Sequence, residues 1–222
     1  QSWANVMHGM SAAGAITQFD ARSWPVNIAC EVKGFELDRN AILQHQFELL
    51  NRPSEFGLQA GYEAVTDSGI EGNVAPERFG VFTGTGVGTI APHQILRMLS
   101  HYFTPDMMNE PLVEMLRYLI ENKSRDALLT QNHPATLTTF LGQRWHAKGM
   151  HASVSTACAA SSQAIGQAAH LIREGVLEAA IVGGADSLAG ELLFNGFCLL
   201  GVLSKRTEDP KSASRPFDKD RD

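Results

Sequence analysis

Residues 153–173 read SVSTACAASSQAIGQAAHLIR, and the order of residue types in this stretch decides how the rest of the chain is read. Ser153, Val154, Ser155 and Thr156 suit an extended strand, where branched side chains pack well on a pleated surface. From Ala157 onward apolar residues return at helical spacing as far as Arg173. A strand is therefore expected to turn directly into a helix, with Cys158 at the turn. The first N–H groups of a helix have no intrahelical partner and carry the positive end of its dipole. Such a place favours a negatively charged sulfur, and the same N–H groups can hold an oxyanion. Ala157, Ala159 and Ala160 leave room for an acyl carbon beside it. Cys158 is thus a candidate nucleophile. The competing reading makes it a small buried hydrophobe, as most free cysteines are, and the residue pattern alone leaves both readings open.

Working outward, helical and strand patterns alternate, which points to an α/β layered fold with a mixed sheet. Residues 27–34 alternate like a strand. Residues 54–68 have helical periodicity, with Ser54 as the expected N-cap and Gly69 as the stop. Pro53 and Pro76 fall in connections, and residues 79–84 read as a buried strand. Residues 92–103 and 110–122 read as two helices joined by TPDMMN. Residues 134–147 form the next expected helix, ahead of the cysteine strand, and residues 179–182 the strand after its helix. No tandem repeat or low-complexity linker interrupts the chain, so residues 1–222 are read as one domain.

Composition fits a globular protein, with 44% hydrophobic and 19% charged residues. No run of about 18 apolar residues could span a bilayer, and no charged segment followed by an apolar one opens the chain. Three cysteines, Cys30, Cys158 and Cys198, are an odd number at wide spacing, which argues against a disulfide framework or a CxxC metal site and for a reducing cytoplasm. The net charge of −6 provides no global attraction for nucleic acid or an anionic membrane, so any acidic partner must dock locally.

The glycine turn GTGVG at 84–88 invites comparison with a dinucleotide-binding turn, but Thr89 stands where that turn needs glycine or alanine. Close backbone packing is the expected use of Gly84, Gly86 and Gly88. The eight histidines are scattered. His146 and His151 are separated by Gly149, and His93 and His101 do not share a helical face at ligand spacing, so no metal site is expected. His133, before Pro134, is a candidate pocket residue, with a structural role preferred.

TACAAS at 156–161 resembles the active-site block of the β-ketoacyl synthases, the condensing enzymes of fatty-acid and polyketide synthesis within the thiolase-like superfamily. FGVFTGTGVGTI at 79–90, AAIVGGADSL at 179–188, GFCLLGVLSKR at 196–206 and SRPFDKDRD at 214–222 resemble further segments of that family in order and spacing. The resemblance spans nearly the whole chain. Members run to about twice this length and carry two histidines and a lysine in a second, pseudo-repeated half. The resemblance therefore implies the N-terminal half of the thiolase-like core, an internal fragment without the opening strand rich in Val, Thr and Gly.

The implied reaction is a decarboxylative Claisen condensation, with Cys158 carrying the acyl chain and its own N–H as one oxyanion donor. Phe197 and Cys198 correspond to positions lining the acyl tunnel, core packing being the plainer reading of Cys198. Lys205 and Arg206 fit the role of meeting the acidic acyl carrier protein, against an ordinary solvated turn. No cofactor is implied. The resemblance further implies a homodimer, or a heterodimer with another ketosynthase-like chain, through the edge strand near residues 153–156. Alone, the chain is expected to expose apolar surface and aggregate. Two alternatives come from other classes. A chain-length-factor-like partner subunit generally lacks the cysteine. A thiolase-like acyltransferase has different residues around it, and a cysteine hydrolase needs a histidine base for which no triad order is visible.

Overall fold

The computed structural model describes residues 2–86 and 130–221. The two helices expected at 92–103 and 110–122 with their TPDMMN joint, Gly88, Thr89, His93 and His101 lie outside the described residues. In chain order the elements are α1 (Ser2–Met7), β1 (Ala13–Ala15), β2 (Ile28–Cys30), α2 (Arg52–Ser68), β3 (Phe79–Gly84), α3 (Thr136–Arg144), β4 (His151–Val154), α4 (Ala160–Arg173), β5 (Ala179–Gly184), α5 (Glu191–Leu200) and α6 (Pro210–Ala213). They fall into two compact units, Glu36–Ser187 and a smaller one made of both chain ends, Gln1–Phe35 with Leu188–Asp222.

The larger unit is built on β3. All six of its residues are buried, and it pairs in parallel with β4 on one side and β5 on the other. In the register Val81 stands opposite His151 and Ile181, and Gly84 opposite Val154 and Gly184. Parallel strands are covered on both faces, which is why FGVFTG reads as a continuous run rather than an alternation. Phe79 and Val81 join a core with Leu58 and Val65 of α2 and Leu137, Phe140 and Leu141 of α3. Phe82 packs instead with Ala160, Ala164 and Ala168, the small-residue stripe of α4. The three alanines are four residues apart, so they lie on one helical face and bring α4 close to the sheet.

Helix α2 begins earlier than its sequence suggests. Asn51 is the N-cap, its side chain accepting the Ser54 N–H at 2.9 Å, so Ser54 is the capped residue and not the cap. Pro53 lies inside the first turn, where a missing N–H costs nothing. At the other end Gly69 is the expected stop, with φ 61° in the left-handed region.

In the smaller unit β1 and β2 pair antiparallel, with Ala13 opposite Cys30 and Ala15 opposite Ile28. Parallel and antiparallel pairings thus both occur, in separate sheets. The strand expected over residues 27–34 is realised only as Ile28–Cys30. In this register residues 31–34 would stand opposite residues 9–12, which leave α1 in a turn and form no strand, so the pairing stops at Cys30. Beyond it the Glu31 carboxylate reaches the other end of the hairpin, accepting the N–H of Thr17 at 2.8 Å, its hydroxyl at 2.7 Å and the N–H of Gln18 at 3.1 Å. Burial, with 2% of the side chain exposed, pushes this carboxyl up, but Thr17, Gln18 and the Lys33 ammonium 3.8 Å away outweigh it and hold it below its ordinary value. The apolar centre joins Val26, Ile28, Phe194 and Ala213. Phe19, Trp24 and Phe194 form a ring cluster with centroids 5.1 to 6.1 Å apart. Among the described residues no helix is long and apolar enough to cross a membrane.

Candidate functional site

The carboxyl ends of β3, β4 and β5 come together, the edge where parallel α/β sheets gather ligands. The backbone stitches these ends to one another. Thr85 donates its N–H to the Val154 carbonyl at 3.0 Å, and Ala185 donates to the Gly84 carbonyl at 3.2 Å. Gly86 donates to the Asp186 carboxylate at 2.7 Å. The turn after each outer strand is therefore referenced to the turn after β3.

Cys158 lies where the strand-to-helix reading puts it. Between the end of β4 at Val154 and the start of α4 at Ala160, residues Ala157–Ala159 make a 3-10 turn. The cysteine is exposed, so it is not the buried hydrophobe of the competing reading. Ala157 takes φ 51°, a left-handed conformation that costs a residue with a Cβ roughly 1–2 kcal/mol. That bend lets the chain leave the strand and enter the helix within three residues, with the sulfur at its outside.

The alanines flanking Cys158 divide in role. Ala157 and Ala159 are exposed, whereas Ala160 is 2% exposed and packs beneath the turn, so the room expected beside the sulfur does not extend to it. The seat for Ala160 is Gly84. A Cβ on Gly84 would stand 2.4 Å from the Ala160 carbonyl carbon and 2.4 Å from the Ser161 nitrogen, a clash with backbone that no rotamer relieves. Close backbone packing is thus the use of this glycine.

Ser153 Oγ donates to the Pro134 carbonyl at 2.6 Å and Asn51 Nδ2 donates to the Gln131 carbonyl, which anchor the segment leading into α3. His133 Nδ1 accepts the Ala135 N–H at 3.2 Å, the structural role preferred for it. A separate apolar cavity of about 350 Å³ lies between α2, α3 and β5, lined by Ala60, Gly61, Ala64, Leu141, Ile181 and Val182 among others; Cys158 does not border it. Among the described residues no group of three or more His, Cys, Asp or Glu side chains could hold a metal ion.

The remaining candidates belong to the smaller unit. Phe197 and Cys198 are half-buried on α5, and Cys198 packs against the cluster around Phe194. Lys205 is exposed, while half-buried Arg206 donates from Nη2 to the Asp220 carbonyl and from its N–H to Ser204 Oγ at 3.2 Å. Arg206 thus braces the tail. In that tail Asp218 accepts the Asp220 N–H at 2.8 Å and pairs with Arg215 at 2.7 Å, which together hold its carboxyl below the ordinary carboxylate value.

Sequence reasoning did not single out Asp186 or Gln163. Gln163 Oε1 accepts the hydroxyl proton of Thr156 at 2.8 Å, across the cysteine turn. In an unbroken helix residues seven apart share a face but lie two turns, roughly 10 Å, from one another, so only the bend at Ala157 makes them neighbours.

A parallel sheet covered on both faces, with a cysteine at the strand-to-helix turn after one of its outer strands, fits the thiolase-like layered fold of the solved ketosynthase structures it resembles. Within that fold the chain belongs to the β-ketoacyl synthase family: the family's N-terminal domain matches residues 1–221. A 3-oxoacyl-[acyl-carrier-protein] synthase 2 from Synechocystis sp. is 32% identical over 226 residues, covering 99% of this chain and 49% of the relative. Among solved structures, a β-ketoacyl synthase from Burkholderia phymatum superposes with a TM-score of 0.77 at 24% identity, covering 99% of this chain and 51% of that one. The ishigamide ketosynthase/chain length factor gives a TM-score of 0.72 at 28% identity, covering 98% of this chain and 49% of its counterpart. The chain spans about half the length of the curated relatives it matches.

Proposed function

We propose that the protein carrying this chain is a β-ketoacyl synthase that extends an acyl chain with a malonyl unit, and that Cys158 is its nucleophile. In the first stage the Cys158 sulfur attacks the carbonyl of an acyl thioester; the carbon–sulfur bond to the donor breaks and the donor thiol leaves. In the second stage a malonyl thioester loses carbon dioxide. The electron pair of the broken carbon–carbon bond becomes an enolate, which attacks the acyl-cysteine carbonyl and expels the Cys158 thiolate with release of a β-ketoacyl thioester. The Cys158 N–H is one oxyanion donor. Donors for the enolate oxygen are assigned to the second half that relatives of about twice this length carry.

The observation that carries this reading is the exposed Cys158 on a left-handed turn at the carboxyl edge of a parallel sheet, in a chain of this family. The thioester donor is assigned as acyl carrier protein, the carrier for which the Synechocystis relative is named. Lys205 and Arg206 are the assigned contacts for that acidic carrier, and Phe197 with Cys198 the assigned lining of the acyl tunnel. A cytoplasmic dimer is the proposed assembly, with an identical chain or with a ketosynthase-like partner of the kind named in the ishigamide pair.

Intact mass after incubation of the protein in its native assembly with an acyl thioester tests the reading. An acyl adduct that disappears in Cys158→Ala is the expected result. An adduct of equal yield in the variant overturns the assignment of Cys158, and the absence of any adduct on the wild type makes the chain a non-catalytic partner.

A further inference from the structure

We propose that Gln163 is a positioning residue for the nucleophile turn, acting through Thr156 to keep the helix-opening N–H groups beside Cys158 open to a thioester oxygen; the inference rests on the assignment of Cys158 as the acylated residue. Thr156 occupies the position from which a threonine side chain ordinarily caps a helical turn, accepting one of its first N–H groups. Here it makes no cap hydrogen bond. Its hydroxyl points instead to Gln163 Oε1, 2.8 Å away. Ala159, the N-cap of α4, has no side-chain oxygen with which to cap either.

The two ends of this clasp differ in firmness. Gln163 stands on the first turn of α4, whose backbone is seated on Gly84 without room for a methyl group. Thr156, with φ −119° and ψ 33°, precedes the left-handed Ala157 and has no regular ladder to hold it. The clasp therefore ties the loose end of the turn to its fixed end, and Cys158 lies in the middle. Release of Thr156 would allow Ala157 to leave its left-handed conformation, which swings the Cα–Cβ bond of Cys158. It would also return the hydroxyl to the N–H groups that the substrate oxygen needs. Both partners are exposed, so water replaces the bond readily and global stability scarcely depends on it. Geometry, and not folding free energy, is what the pair supplies.

The test measures acylation of Cys158 in the native assembly by time-resolved intact mass over a range of acyl-thioester concentrations. Gln163→Ala and Thr156→Val are expected to lower the maximal acylation rate about tenfold, a loss of the size that modest misplacement of reacting groups produces. The apparent KM and the Tm are expected to stay near wild type. Thr156→Ser restores the hydroxyl and the rate, and the double variant Thr156→Val with Gln163→Ala is no slower than either single one. Wild-type rates in Gln163→Ala, or additive losses in the double variant, overturn the clasp while leaving Cys158 in place if Cys158→Ala is inert. An adduct that persists undiminished in Cys158→Ala overturns both.

Discussion

The two compact units hold themselves together by different means. In Glu36–Ser187 a fully buried strand is covered on both faces, and helix α4 meets it through alanines and a glycine with no space left over. In the unit of the chain ends the strands are three residues long, three aromatic rings sit at the apolar centre, and charged side chains bond to backbone in the loops and tail. The difference teaches that the helix end of the cysteine turn is seated by steric exclusion, which salt and pH leave alone, while its strand end relies on the neutral Thr156–Gln163 hydrogen bond. The tail that Arg206 braces depends in part on polar contacts, which both can loosen.

The strongest way to break this comparison is Phe194→Ala, which empties the centre of the aromatic cluster. It is expected to cost about 3–4 kcal/mol, read as lost amide protection in β2 by hydrogen exchange. A cost under about 1 kcal/mol would mean that the polar contacts alone hold this unit. Next in size, Gly84→Ala is expected to cost about 2–3 kcal/mol in chemical denaturation, because backbone and not a flexible side chain meets the new methyl group. A neutral Gly84→Ala would show that α4 can slide, and would remove steric exclusion from the account.

The contrast is sharpened by pH. The Glu31 carboxyl is held below its ordinary value in the folded state, so the folded state binds its proton less tightly than the unfolded chain. Its stabilisation is therefore fully present above the ordinary carboxylate range of about 4.3 and is lost as pH falls through the lower folded value. Glu31→Gln is expected to flatten that acid limb and to lower protection of the Thr17 and Gln18 amides at neutral pH; an unchanged acid limb would count against the Glu31 contacts. Smallest is Ala157→Gly, which relieves the left-handed bend but frees the unfolded chain. These effects nearly cancel, leaving a change within about 0.5 kcal/mol in denaturant melts.

How far the residues announce these features follows from the range of each interaction. The buried strand Phe79–Gly84 and the Gly69 stop are found where the sequence puts them, because a continuous apolar run and a left-handed cap are local properties. Ser54 as the cap of α2 is wrong by three residues: Asn51 and Ser54 are both good capping types, and the choice depends on the position of Pro53, which the helix absorbs. The strand at residues 27–34 is cut short because its partners in register, residues 9–12, leave α1 in a turn and form no strand. The alternation of side chains carries no trace of that turn.

By itself the sequence determined α2, β3, α3, β4, α4 and β5 in that order, the strand-to-helix turn with Cys158 at its bend, and the family resemblance, since each rests on local residue types; β1, α5 and α6 went unread. Tertiary structure decided the rest: that Ala157 is left-handed, that Gly84 seats the first turn of α4, that Thr156 faces Gln163, and that Arg206 braces the tail. The physical reason is common to all four. Periodicity specifies which face a residue takes within its own element, whereas a close approach between elements depends on where the chain bends, and a bend of one residue leaves no period to read.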